Sequence, residues 1–351
     1  MNLYLTRKLQ DKLKVELTSA QNVPPFFSWR ANYIQGHGQR FVVFMNDASV
    51  AKLKKLPEFF VENLRKTLLA LCINPEIIDL YIAQLGKVNY IKNSDRTQTA
   101  RLNKCTDAVW FALHDYTDDT ELSVWANDFL HGAPDNSSKD YTTPKENFLN
   151  ALSIYNLPIF KTRALDLNIR LDLNGRDAVR KLRVPETISF NELHNLLQTA
   201  FGWKSRHLHS FGFFKEWIKK YGAAPDVELF SDKGSFENNP NASSTDGRTL
   251  ADFVPEFNKI LYIYDFGDYW CHYIDIENII DGCEDKLPLL LSGTGDSPPE
   301  DVGGSAGFSD FLEIMSNPNH KDYEDFFEWS KMQMWEPFNF DRIATMVCSQ
   351  R

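Results

Sequence analysis

The stretch that most constrains this chain is Tyr262–Glu277, YIYDFGDYWCHYIDIE. Aromatic and β-branched residues suit a pleated, half-buried surface, so Leu261–Asp265 and Tyr269–Ile276 read as strands. Gly267 between them marks a bulge, a tight turn or a close backbone approach. Side chains alternate along a strand, which puts Asp268, Trp270 and His272 on one face. Two acids (Asp265 and Asp268), an indole and an imidazole on one patch of sheet are costly to bury without partners. That cost makes the patch the first candidate site.

A second stretch, Gly293–Gly304 (GTGDSPPEDVGG), is too rich in Gly and Pro for a helix or a central strand. It reads as an ordered loop that sets Glu300 and Asp301 beside the strand, with Gly303 and Gly304 at its exit and a helix starting near Ser309. The competing structural explanation is that these acids cap that helix and satisfy loop amides.

The chain has 351 residues, 43% of them hydrophobic, which is enough to bury a sizeable core and favours two domains. A formal net charge of -10 argues against a broad basic footprint for nucleic acid and leaves room only for a local basic face. No apolar run reaches the length of a membrane span, and MNLYLTRKLQ lacks the apolar core of a signal peptide. Cys72, Cys105, Cys271, Cys283 and Cys348 are scattered without CxxC spacing. A disulfide framework or thiolate zinc site is therefore not expected, and the cytoplasm is the natural location.

The first half reads as a small α+β domain, residues 1–131. Residues 2–5 suggest an edge strand, followed by a helix over Arg7–Leu17 behind Thr6. Ser28–Gln35 and Gln39–Asn46 suggest two strands around a Gly36-His37-Gly38 turn. Helices are expected over Glu58–Leu71, from Pro75 to about Gly86, and over Ala100–His114 and Glu121–Leu130, with a short strand at Lys87–Lys92. His37, His114 and His131 are isolated and read as structural. Gly132–Asn147 is polar and turn-rich and reads as the linker, which places the second domain at 148–351.

That second half opens with the alternating strand Ala164–Leu173 and a second strand, Arg180–Val184. Arg176, Arg180, Lys181 and Arg183 form a small basic cluster that reads as a solvated face. Ser189 caps a helix over Phe190–Ala200, whose Leu193, Leu196, Leu197 and Ala200 share a face. Arg206–Phe213 follows as a strand in which His207 and His209 point the same way. Gly222–Gly247 is a long polar excursion with the character of a lid. Leu250–Val254 suggests a return to the sheet, and Phe308–Met315 and Asp322–Met332 two closing helices.

The run LHNLLQTAFGW, then HLHSF, YIYDFGDYWCHYIDIE and PPEDVGG, resembles the plasmid pRiA open-reading-frame-three-like family. The resemblance covers roughly Leu165 to Phe340 in the family's order. It implies an α/β roll, a curved and mostly antiparallel sheet with packed helices, and an association with mobile elements for some members. It implies no established reaction. Where relatives often carry cysteines around the PPED loop, this chain has Leu290, Ser297 and Val302. The first half, with LYLTRKL, SWRANY and RFVVFMNDAS, resembles a separate uncharacterised domain family.

Three functional readings follow. In the first, a cleft formed by His207, His209, Asp265, Asp268, Trp270, His272, Glu300, Asp301, Gly303 and Gly304 binds a small ligand, a peptide or nucleic acid. Trp203 and Trp270 would supply stacking area. In the second, Asp268, His272 and Glu300 hold a divalent metal for hydrolysis, with His272 or Glu300 as base. In the third, the same residues form a buried polar network and function lies in protein contacts. Cys271 is a weaker nucleophile, because adjacent His272 lies on the opposite strand face.

Overall fold

The computed structural model describes residues 1–19, 27–31, 35–38, 41–45, 55–97, 99–100, 103, 119–129, 143–217, 224–231 and 242–350. They form two compact units, Met1–Lys161 and Thr162–Arg351.

The first unit is built on β1 (Asn2–Leu5), β2 (Ser28–Ala31), β3 (Gln35–Gly38), β4 (Phe41–Phe44) and β5 (Asn89–Lys92), in the order β4-β3-β2-β1-β5. Two sequence expectations change here. β1 is interior rather than an edge, paired in parallel with both β2 and β5, so its backbone amides and carbonyls find ladder partners on both sides. Gly36, His37 and Gly38 belong to β3 rather than to a turn, since ladder pairing with β4 satisfies their backbone. Helices α1 (Arg7–Leu13), α2 (Leu56–Ala70), α3 (Pro75–Leu85), α4 (Asp119–Phe129) and α5 (Pro144–Leu152) complete the unit.

Helix α5 also moves the domain boundary. A capping box between Thr143 and Glu146 starts it, and Phe148 and Leu152 are buried in the first core. Phe148 stacks on Phe41 and meets Tyr81 edge-on. Residues from 143 to 161 therefore belong to the first unit rather than to a linker and a domain starting at 148, because their apolar face is buried there. Positions 132–142 of the expected linker, His114, His131 and most of the Ala100–His114 helix lie outside the described residues.

The second unit is an α+β fold around one large sheet. Its strands are β6 (Thr162–Asp172), β7 (Asp177–Pro185), β8 (His209–Phe214), β9 (Val227–Phe230), β10 (Ala242–Ser244), β11 (Lys259–Tyr264), β12 (Trp270–Cys283) and β13 (Leu289–Thr294). They run in the order β10-β9-β8-β11-β12-β6-β7-β13, antiparallel except for β9 beside β10. Register shifts between β12 and β6, at Ile276/Asn278 and Ile280/Cys283, bend the long strands.

Helix α6 (Phe190–Phe201) opens with the Ser189/Glu192 capping box and stops at Gly202, whose φ of 77° is the left-handed conformation glycine adopts freely. Its Leu193, Leu196, Leu197 and Ala200 pack with Ile169, Phe211 and Tyr262 of the sheet. Three helices follow the sheet: α7 (Gly304–Ser316), α8 (Tyr323–Met332) and α9 (Phe340–Cys348). Leu250–Val254 does not rejoin the sheet. Leu250–Asp252 is a 3-10 turn, held because the Asp252 carboxylate accepts from the Thr249 amide at 2.8 Å. Positions 222–223 and 232–241 of the expected lid lie outside the described residues, and β9 and β10 occupy parts of the rest. Among the described residues no helix is long and apolar enough to cross a membrane.

Candidate functional site

The turn that joins β11 to β12 brings one imidazole and two carboxylates together. Asp265 sits at its start with φ of 57°, unusual for a residue other than glycine. Its Oδ1 accepts from the Gly267 amide at 2.9 Å and the Asp268 amide at 3.4 Å. Its Oδ2 lies 3.6 Å from Nε2 of His207. Asp301, also left-handed at φ 60°, places Oδ1 3.1 Å from the same nitrogen. The three ligand atoms all lie within 4.8 Å of one another. The Asp268 carboxylate accepts from the Gly303 amide at 3.2 Å and so ties the turn to the start of α7. Gly303 and Gly304 have φ of 90° and 69°, and a Cβ on Gly304 would come 3.3 Å from the Asp268 carbonyl oxygen. Both glycines serve to close the loop on the turn.

The other expected members lie elsewhere. β12 begins only at Trp270, so Asp268 is in the turn and does not share a strand face with Trp270 and His272. Trp270 and His272 face inward and are buried, because the inward positions of β12 sit in the sheet's core. Trp203 is buried too, stacked on Tyr264 with centroids 5.1 Å apart. Neither indole offers an open stacking face for a ligand in the cleft. Glu300 also turns inward. It accepts from the Tyr264 hydroxyl at 2.6 Å and the Lys204 amide at 3.1 Å, and lies 3.7 Å from Arg206. Asp268, His272 and Glu300 therefore do not form a metal triad. Among the described residues, His207, Asp265 and Asp301 are the one His/Cys/Asp/Glu group close enough to hold an ion.

His207 and His209 also part company, because β8 begins at His209 and His207 precedes it. His209 stacks on His194, with centroids 3.7 Å apart and rings nearly parallel at 6°. His194 is the centre of a buried network that sequence reasoning missed. Gln198 donates to the Tyr262 hydroxyl at 3.0 Å, and that hydroxyl lies 2.8 Å from His194 Nδ1. The hydroxyl has one hydrogen to give, and directing it at Nδ1 leaves Nε2–H to donate to Ser205 Oγ at 2.6 Å. Ser205 in turn donates its amide to Gln198 Oε1 at 2.8 Å. The available signal was a polar pair, His194 and Gln198, spaced i,i+4 on the sheet-facing side of an otherwise apolar helix face.

Burial keeps these imidazoles neutral. Desolvation, with the neighbouring His209 a lesser cause, lowers His194 well below the ordinary range. Desolvation also brings His272 down to about 3. The unfolded chain takes up these protons near pH 6.5 and the folded chain does not. Their contribution to stability is thus complete above about pH 6.5 and lost as pH falls toward about 3. Each imidazole is expected to cost about 2 kcal/mol of stability by about pH 5. Urea unfolding at about pH 7 and about pH 5 measures this, with His272→Phe flattening the dependence. A stability unchanged between the two pH values would contradict it.

The expected basic face is largely neutralised. Lys181 pairs with Glu277 at 2.7 Å, and Arg183 pairs with Asp166 at 2.8 Å and Asp285 at 3.1 Å. Arg180 is buried rather than solvated. It donates to the carbonyls of Ala200, Val179, Thr294 and Gly295 and to Ser297 Oγ, at 2.8 to 3.2 Å. Burial lowers its pKa to about 10, so it remains a cation at neutral pH. Cys271 is no activated nucleophile, since burial first and Asp172 second raise its thiol to about 11.

Residues 163–344 match the family described as plasmid pRiA4b ORF-3-like protein. The chain belongs to the plasmid pRiA4b ORF-3-like family. Residues 2–147 match a second family, a domain of unknown function (DUF6933), so the two halves resemble separate families as their motifs suggested. The chain is 33% identical over 163 residues to the uncharacterized protein y4hQ of Sinorhizobium fredii, covering 46% of this chain and 78% of that one. It is also similar to the crystal structure of a protein of unknown function, MM3350, from Methanosarcina mazei Go1. That likeness has 27% identity and a TM-score of 0.44, and covers 54% of this chain and 98% of the other. These relatives are described without an activity.

Proposed function

We propose that the second unit is a cation-dependent binding module, with His207, Asp265 and Asp301 holding a divalent ion such as Zn²⁺ or Mn²⁺. The observation that carries this reading is the spacing of His207 Nε2, 3.1 Å from Asp301 and 3.6 Å from Asp265. Ligand atoms about 2.1 Å from a shared ion sit about 3.0–3.5 Å apart at tetrahedral or octahedral angles. An imidazole with two carboxylates suits zinc or manganese better than a purely oxygen-binding ion. Three protein ligands would leave coordination positions for a small ligand or a side chain of a protein partner. Binding is favoured over hydrolysis, because both candidate bases are engaged elsewhere: Glu300 by Tyr264 and Lys204, and His272 inside the core.

Pairing within the Arg176–Arg183 cluster and the net charge of -10 weigh against nucleic acid as the partner. Among the described residues, Cys271, Cys283 and Cys348 are free thiols, which supports a cytoplasmic setting. The family's description as a plasmid reading frame supports an association with mobile elements.

Thermal unfolding of chelator-treated protein tests the ion. Zinc or manganese at a hundredfold excess over Kd is expected to stabilise the second unit by about 2.7 kcal/mol, or about 5–10 °C. Asp301→Asn should abolish the shift and leave the metal-free protein's melting near wild type, because the Asp301 side chain is 48% exposed. No saturable binding by the wild type, or an equal shift in the variant, would overturn the reading.

A further inference from the structure

Arg206, Tyr264 and Glu300 each stand one position before a residue of the cation site: His207, Asp265 and Asp301. The three meet in one hydrogen-bonded cluster. The Tyr264 hydroxyl accepts from the Arg206 amide at 3.0 Å and donates to Glu300 Oε1 at 2.6 Å. The same Oε1 accepts from the Lys204 amide at 3.1 Å, and Glu300 Oε2 lies 3.7 Å from Arg206 Nε. We infer that Tyr264 is the positioning residue of the cation site, its hydroxyl holding the three ligand-bearing segments in register; this rests on the cation reading above.

The proton count leaves one arrangement. An amide N–H only donates, so the hydroxyl oxygen accepts from Arg206 and its single hydrogen goes to the carboxylate oxygen of Glu300. Hydrogen bonds to a carboxylate are among the stronger ones. The ring that carries the hydroxyl is 1% exposed and stacks on Trp203, with centroids 5.1 Å apart, so the core fixes where the hydroxyl stands.

The ligands need such a hold because none of them lies in a strand or helix. His207 precedes β8, Asp265 follows β11, and Asp301 sits in the loop before α7. Ser205, Asp265 and Asp301 are left-handed, with φ of 56°, 57° and 60°. Such conformations persist in non-glycine residues where the surroundings over-determine them. Ser205 is held by Gln198 and His194, and the Asp265 amide donates to the Leu208 carbonyl at 3.0 Å. Those bonds secure the segment before β8. The Tyr264–Glu300 bond joins the Asp301 loop to it. Groups that orient metal ligands in this way are typically worth about 10–100-fold in metal affinity.

Calorimetric titration of the chelator-treated full chain with Zn²⁺ and Mn²⁺ at low temperature tests the assignment. Tyr264→Phe keeps the stacking on Trp203 and should raise the Kd of the tighter ion by about 10–100-fold. Glu300→Ala should do the same. Glu300→Gln, whose amide oxygen still accepts from the Tyr264 hydroxyl and the Lys204 amide, should recover most of that loss. Arg183→Met controls for lost stability: it breaks the 2.8 Å pair with Asp166, should lower the melting temperature, and should leave Kd unchanged. Wild-type affinity in Tyr264→Phe would overturn the assignment, as would equal weakening by Glu300→Gln and Glu300→Ala, or weakening by Arg183→Met. Should Tyr264→Phe not fold, the Glu300 pair decides. Wild-type protein that binds neither ion would sink the cation reading and this assignment together, whereas an ion bound equally by wild type and Tyr264→Phe sinks the assignment alone.

Discussion

Arg180→Leu is expected to destabilise the second unit by about 3–5 kcal/mol, close to the whole stability of many domains. The substitution removes a buried cation together with the donors that serve the Ala200, Val179, Thr294 and Gly295 carbonyls and Ser297 Oγ. Each buried acceptor left without a donor costs about 1–3 kcal/mol, and those only partly buried regain part of that from water. Arg180→Lys keeps the charge but has no planar fork to span several acceptors, so it should recover only part of the loss. The guanidinium lies 3.8 Å from the centre of the Phe338 ring, and that ring fits only because residue 293 is glycine. A Cβ at Gly293 would stand 2.5 Å from Phe338. Urea unfolding at neutral pH measures the effect. A loss below about 1 kcal/mol would mean that water already serves these carbonyls.

The second large effect is expected at Trp203. Its indole stacks on Tyr264 and Phe201, meets His272 edge-on at 5.2 Å, and donates to Pro298. Trp203→Ala should cost about 3–5 kcal/mol from the cavity it leaves. Trp203→Phe keeps much of the ring contact but deprives the Pro298 carbonyl of its donor, for a loss of about 1–3 kcal/mol. Pro298 closely precedes Glu300 and Asp301 on the same loop. Trp203→Ala should therefore also weaken cation binding measured by calorimetry, while retaining the fold at low temperature. Unchanged cation affinity in a folded Trp203→Ala protein would mean that the loop is held without the indole.

Much of the second unit was legible because local rules and tertiary packing agree there. The Ser189 cap, the apolar face of α6 and the stop at Gly202 depend on neighbours in sequence, and all three appear where the pattern places them. The strands around Tyr262 and Trp270 follow from residue type in the same way. Gly36-His37-Gly38 was misread because glycine marks turns in isolation, whereas pairing with β4 made it strand. Thr143–Leu152 was misassigned because polarity at its start resembles a linker, while Phe148 and Leu152 reveal their packing only once the first core exists.

The candidate site divides along the same line. The sequence by itself determined that Asp265 and Asp268 flank Gly267 between two strands and that Glu300, Asp301, Gly303 and Gly304 share one loop; that these meet several imidazoles was an expectation from those positions. Only the tertiary structure decided which of them meet: His207 with Asp265 and Asp301, Glu300 with Tyr264, and His272 with aromatic rings. β8 begins at His209, three residues after the expected Arg206, and β12 at Trp270, one after the expected Tyr269, so His207 and Asp268 fall outside the strands and strand alternation does not fix where they point. Such register is set by partners far away in sequence, which is why Arg180 reads as a surface charge in a basic run and is instead buried among carbonyls.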